Sequence, residues 1–238
     1  MPVALTHEAT LIFSWLIWRL TLDPQLEFLT IDYVRELYGE ADSVHDFDHI
    51  LRVVALAAVI GEQEGADMTV VHAAALLHDL GRAESQANGW NHAAVAAEQA
   101  GTLLESRGAD PAWQHAVCHA ISAHRFREAP DPETLEAKVV FDADKLDAIG
   151  ATGIARAFAY GGAHRQRLWA PLESVNLADW DQNGDNPDVH TPVHEFVVKL
   201  SRIKDRLYTP AGRRIAEARH TYMQKFFERL DAEVRGEK

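Results

Sequence analysis

The side chains best suited to chemistry are His49, the adjacent pair His78-Asp79, and Asp144. His49 sits in SVHDFDHILRVV, the pair in AAALLHDLGR, and the aspartate in KVVFDADKLDAIG. Each lies at or near the edge of a helix-like apolar run. A buried polar or charged group costs several kcal/mol there unless it is paired or bound to a metal. Two imidazoles and two carboxylates form a ready site for one divalent cation, and Mn, Mg, Fe, Co, Ni and Zn all suit such a donor set to different degrees. Taken singly, a buried histidine is more often a hydrogen-bonded core residue, and Asp144 could serve as a helix cap. The combination favours a metal, because HD inside AAALLHDLG sets two polar groups in an otherwise apolar helix.

These residues must be positioned by helices. Apolar periodicity predicts helices at about 5–20, 25–39, 44–64, 68–80, 91–107, 111–124, 134–148 and 151–160. Two more follow at about 192–207 and 211–235. Ser43-Val44-His45-Asp46 resembles a capping box, while Gly65 and Gly81 read as helix stops. The best strand signal, VVF at 139–141, is flanked by helix formers. The stretch 161–191 is rich in Gly, Pro, Asn and Asp and lacks periodicity, so it is expected as a long loop. The fold class is therefore all-α: a single-domain helical bundle over 1–238, with a loop excursion at about 161–191 and C-terminal helices over 192–235.

Spacing then assigns faces. His78 and Asp79 diverge by about 100° on an ideal helix, so both reach one ion only near the helix end that Gly81 supplies. His49 stands four residues from His45 and three from both Asp46 and Arg52, so these side chains are expected to share a face. That face offers a metal ligand, an orienting carboxylate and a guanidinium suited to phosphate. Asp144 and Asp147 are likewise three apart.

Composition bounds the partners. A net charge of −13 argues against binding a nucleic-acid polymer, which needs clustered basic residues. A small phosphorylated substrate remains compatible, since a cation can bridge phosphate to carboxylates. The single cysteine, Cys118, excludes an intramolecular disulfide and fits a cytoplasmic protein. LIFSWLIWRL is too short to span a bilayer, so no membrane role is expected. There is no GxxxxGK, GxSxG or CxxC motif. Cys118 beside His119 is expected to be a buried inert thiol, and His115 and His119 to meet solvent or neighbouring side chains. The C-terminal helix could pack in cis or against a second copy, as in a homodimer.

The pattern H…HD…D resembles the HD-domain metal-dependent phosphohydrolases. The blocks HDFDHILRV, AALLHDLGR, VCHAISAHRF and DADKLDAIGATGIARAF, over about 45–160, look like small bacterial members. The resemblance implies packed helices of the HD type and a metal core at about 44–160. It also implies one divalent metal ion held by His49, His78, Asp79 and Asp144, and hydrolysis of a phosphoester or phosphoanhydride. Nucleotides are the implied substrate class, and pyrophosphate release from nucleoside triphosphates is among the implied activities.

The metal would activate water and polarise the phosphoryl group. Asp79 or Asp147 would take the water proton, and Arg52 would serve the catalytic site. Arg52, Arg82, Lys145 and His124 are expected to contact substrate phosphate, as is the basic run His164-Arg165-Gln166-Arg167. His92 and His124 stand in the chain order of second-metal ligands in binuclear HD proteins, so a second metal is the less favoured expectation. Two rival readings stand beside the hydrolase: a metal-binding regulatory HD domain without turnover, and a diiron oxygenase on the same scaffold.

Overall fold

The computed structural model describes residues 26–39, 47–125, 129–171 and 190–237. The expected helix at 5–20 and the capping box at 43–46 lie outside the described residues, as does 172–189 of the expected loop. Among the described residues there is no strand, and no helix is long and apolar enough to cross a membrane. The architecture is all-α. The chain divides into two compact units, residues 1–143 and 144–238.

In the first unit the helices are α1 (Ile31–Tyr38), α2 (Phe47–Glu64), α3 (Met68–Leu77), α4 (Arg82–Asn88), α5 (His92–Ser106) and α6 (Pro111–Ser122). The sequence MTVVHAAALL is apolar on nearly every side, and such a helix belongs in the interior. Accordingly, α3 is buried from Val70 through Leu77 and packs against α2 and α6, while α5 packs on α6. The starts are set by side-chain caps: Asp67 Oδ1 accepts from the Thr69 amide at 2.9 Å. Asn91 Oδ1 accepts from Ala93 and Ala94 at the head of α5. Asp110 does the same for α6, where Pro111 occupies the first turn. These caps fix the phase of the helices that carry the histidines.

Helix α7 (Leu135–Asp147) contains the VVF segment, with Val139, Val140 and Phe141 all buried. Burial of these side chains in a helix flanked by good helix formers overrides their β-propensity. In the second unit α8 (Gly150–Ala163) packs against α10 (Pro210–Val234). Helix α9 (Pro192–Val198) and a 3₁₀ segment, Leu200–Arg206, complete that core. Phe196 stacks on Phe227 with centroids 4.5 Å apart. Helix α8 runs on to Ala163, two residues past the expected start of the loop.

Candidate metal centre

Four histidines of the first unit gather around Asp79, and all four stand at helix ends. His49 is in the first turn of α2 and His92 opens α5; His78 caps the end of α3, and His124 follows the end of α6. The end of α3 shows how this is built. A helix leaves its last four carbonyls without intrahelical partners. Here Ala75 accepts from His78 Nδ1 at 2.9 Å. Leu76 accepts from the Tyr38 hydroxyl at 2.8 Å, and Leu77 accepts from the Leu80 amide at 3.1 Å. The end of α6 repeats the device, with His124 Nδ1 donating to the Ile121 carbonyl at 2.6 Å. Since a carbonyl only accepts, Nδ1 carries the proton in both rings and each Nε2 turns a lone pair inward. This is how backbone partners orient metal-binding histidines.

The inward atoms form two triads that share Asp79. Nε2 of His49 and Nε2 of His78 are 3.4 Å apart, and they lie 3.7 and 3.8 Å from Asp79 Oδ2. Nε2 of His92 and Nε2 of His124 are 3.3 Å apart, and each lies 3.7 Å from Asp79 Oδ1. Bonds of about 2.1 Å to one ion place neighbouring donors about 3.0–3.4 Å apart, so a small inward adjustment of each triad would enclose a cation. His49, His78, Asp79 and His124 are all at most 3% exposed. A buried carboxylate ringed by imidazoles fits a metal in donor chemistry as well as in spacing.

The surrounding residues hold the turn that presents His78 and Asp79. Gly81 has φ 72°, in the left-handed region. That backbone conformation is what calls for glycine, while a Cβ there would only displace the end of the Gln99 side chain, 2.7–2.9 Å away. Arg82 Nη1 bonds Asp79 Oδ2. The phenol of Tyr38 is held well above its ordinary pKa, chiefly by burial and also by the charge of Asp79. A hydrogen bond from the Asp79 backbone amide and the charge of Arg82 act in the opposite sense. The Tyr38 oxygen thus ties both ends of the segment 76–79, a role that no sequence motif signals.

The remaining expected site residues are placed as follows. Arg52 is half-buried in α2, while Asp46 lies outside the described residues. In the second unit Asp144 is half-buried, with Lys145 Nζ on its Oδ2 at 2.6 Å. Asp147 is 1% exposed, and its Oδ2 accepts from Arg156 Nη1 at 2.7 Å. Arg219 adds its charge near Asp147 and donates to the Leu146 carbonyl. In the basic run, His164 stacks on Tyr160 with centroids 3.9 Å apart. His119 Nε2 accepts from the Glu133 amide at 3.2 Å. Cys118 is half-buried rather than buried as expected, and what burial it has pushes its thiol pKa up. Asp142, fully buried in α7, was not singled out by the motif reading.

Comparison with known proteins gives this geometry its setting. The HD domain family matches residues 46–149, which span both triads. The uncharacterized protein YpgQ of Bacillus subtilis is 34% identical over 208 residues, covering 86% of this chain and 91% of its own. The crystal structure of YpgQ in complex with ADP is similar at a TM-score of 0.63 and 30% identity, covering 85% of this chain and 92% of that one. An HD-superfamily hydrolase from Bacillus thuringiensis gives a TM-score of 0.65 at 32% identity, covering 86% and 94%. Fold, histidine–aspartate clusters and relatives together define a hydrolase of the HD superfamily, with clusters able to hold a divalent metal. The chain belongs to the HD domain family.

Proposed function

We propose that this protein is a metal-dependent phosphohydrolase acting on a nucleotide, cleaving a phosphoester or phosphoanhydride bond. The observation that carries the reading is Asp79, whose two carboxylate oxygens each face a separate pair of imidazole nitrogens. A divalent ion bound there would polarise a phosphoryl oxygen and lower the pKa of a bound water. Nucleotide as substrate draws support from YpgQ, which is similar to this chain and has been crystallised with ADP.

The proposed ligands are His49, His78 and Asp79, with Asp144 added on its sequence motif. Arg82 sets a guanidinium beside Asp79, where it would meet a phosphate that approaches the carboxylate. Arg52 and Lys145 are the other proposed phosphate contacts; the expected phosphate role of His124 is not carried forward, because its Nδ1 proton is given to the Ile121 carbonyl and its Nε2 lone pair faces Asp79. Asp79 or Asp147 is the proposed acceptor of the water proton, each carboxylate being held by one arginine, Arg82 and Arg156 respectively. Phosphoryl transfer requires mainly positioning and charge neutralisation, so few further groups are needed.

A second reading has its own observation. The His92 and His124 pair on Asp79 Oδ1 has the same spacing as the first triad. We propose it as a second metal subsite, bridged to the first by Asp79. A bridging carboxylate with histidines on both sides also suits the diiron oxygenase alternative, and iron with oxygen uptake would mark that chemistry. The deciding experiment strips the protein with a chelator and restores Mn, Mg, Fe, Co, Ni or Zn singly. Phosphate or pyrophosphate release is then screened over nucleoside mono-, di- and triphosphates. Metal-dependent release supports the reading. Metal uptake without release from any nucleotide returns the regulatory domain, and oxygen consumption without release returns the oxygenase.

A further inference from the structure

The first unit contains a groove between α4 and α5 of about 600 Å³, lined by Glu84, Trp90, Val95, Glu98, Gln99 and Thr102. It adjoins the metal centre by construction. Trp90 precedes His92 by two residues, and the Gln99 amide packs against Gly81, two residues after Asp79. Along α5, His92, Val95, Gln99 and Thr102 follow at helical spacing and share one face.

We infer that this groove receives the nucleobase of the substrate, stacked on Trp90, with the phosphates directed to the Asp79 turn. The inference rests on the nucleotide reading above. Three features point to a base as the occupant. The Trp90 side chain is 54% exposed, a large aromatic plane lining the groove. Bases stack on such planes whatever their identity. Secondly, the groove's charged side chains are the carboxylates of Glu84 and Glu98, which repel phosphate and accept hydrogen bonds from amino groups. The guanidinium of Arg82 is held instead at the Asp79 turn. A ligand with an anionic end and an amino-bearing aromatic end is therefore oriented in one sense only. Thirdly, Gln99 donates to Glu84 Oε2 at 3.4 Å, a long bond that a better-placed donor on the ligand would displace. Amino-bearing bases, adenine among them, have the matching chemistry.

The test uses the full chain loaded with Mn²⁺ and two non-hydrolysable probes, α,β-methylene-ADP and methylenediphosphonate, titrated calorimetrically. The wild type is expected to bind the nucleotide analogue more tightly than the diphosphonate. Trp90→Ala should weaken the nucleotide analogue on the order of tenfold and leave the diphosphonate unchanged. Trp90→Phe should keep most of the affinity, because the ring plane survives. Equal losses for both probes, no loss for either, or a Phe variant as weak as the Ala variant would each overturn the base site. If the wild type binds neither probe, the nucleotide reading falls and this site with it. If it binds the analogue but hydrolyses no nucleotide, only the proposed activity falls and the groove assignment stands.

Discussion

Removing one oxygen atom from Tyr38 tests how the metal centre is held. Tyr38→Phe keeps the ring and its edge-on contact with Phe47, whose centroid is 5.7 Å away. It deletes the hydroxyl that donates to the Leu76 carbonyl at 2.8 Å and accepts from the Asp79 amide. An unpaired buried backbone group costs about 1–3 kcal/mol. The carbonyl bond is only partly buried, so water can replace part of it, and the total loss is expected at about 1–2 kcal/mol. In a chain of this size that corresponds to a fall in Tm of about 2–8 °C. The larger effect is on function, because the freed segment carries both His78 and Asp79. Loss of a group that orients metal ligands typically costs about 10–100-fold in affinity. Calorimetric titration of chelator-stripped protein with Mn²⁺ should show a weakening of at least about tenfold, beside thermal melts of the same samples. A variant with lowered Tm but wild-type Mn²⁺ affinity would refute the positioning argument.

Two further outcomes follow from other parts of the structure. Replacing His124 by Ala should remove metal binding at the Oδ1 side of Asp79 while leaving His49 and His78 a site, so metal per chain should fall from two to one; an unchanged count would refute the second subsite. His220 and His194 in the second unit both have lowered pKa values, first because of burial, and nearby His190 and Arg167 add to the effect at His194. Between their folded values and the ordinary 6.5, the unfolded chain binds more protons, so stability should fall as the pH drops below about 6.5. Thermal melts from pH 8 to pH 5.5 should show this, and His220→Gln should flatten the dependence; an unchanged slope would contradict it.

Much of the site was legible because its chemistry is written in short segments. HD inside AAALLHDLG marked the end of a buried helix, and Gly81 marked the turn. His92 was harder to place, since a histidine after NGWN could equally be exposed. The deciding detail is the Asn91 cap, which starts α5 at His92 and sets its ring against His124. Helix α4 has no sequence signature because seven residues carry no apolar period, although Gly81 and Gly89 bracket it in left-handed conformations. The continuous helix expected at 192–207 breaks at Lys199, where φ −122° leaves the helical region and a 3₁₀ segment follows. Tyr38 and the Asp147–Arg156 pair were invisible for a different reason. Both are tertiary contacts, and no spacing rule connects residues across a chain reversal.

The central claim is that Asp79 anchors a metal centre that hydrolyses nucleotides. The most direct measurement is metal-dependent phosphate or pyrophosphate release by the wild type and by Asp79→Ala, with bound metal and helical circular dichroism recorded on the same samples. The account predicts turnover by the metal-restored wild type, and none by a variant that is helical but has lost its metal. Full activity in Asp79→Ala, or a metal-loaded wild type inert toward every nucleotide, would contradict it.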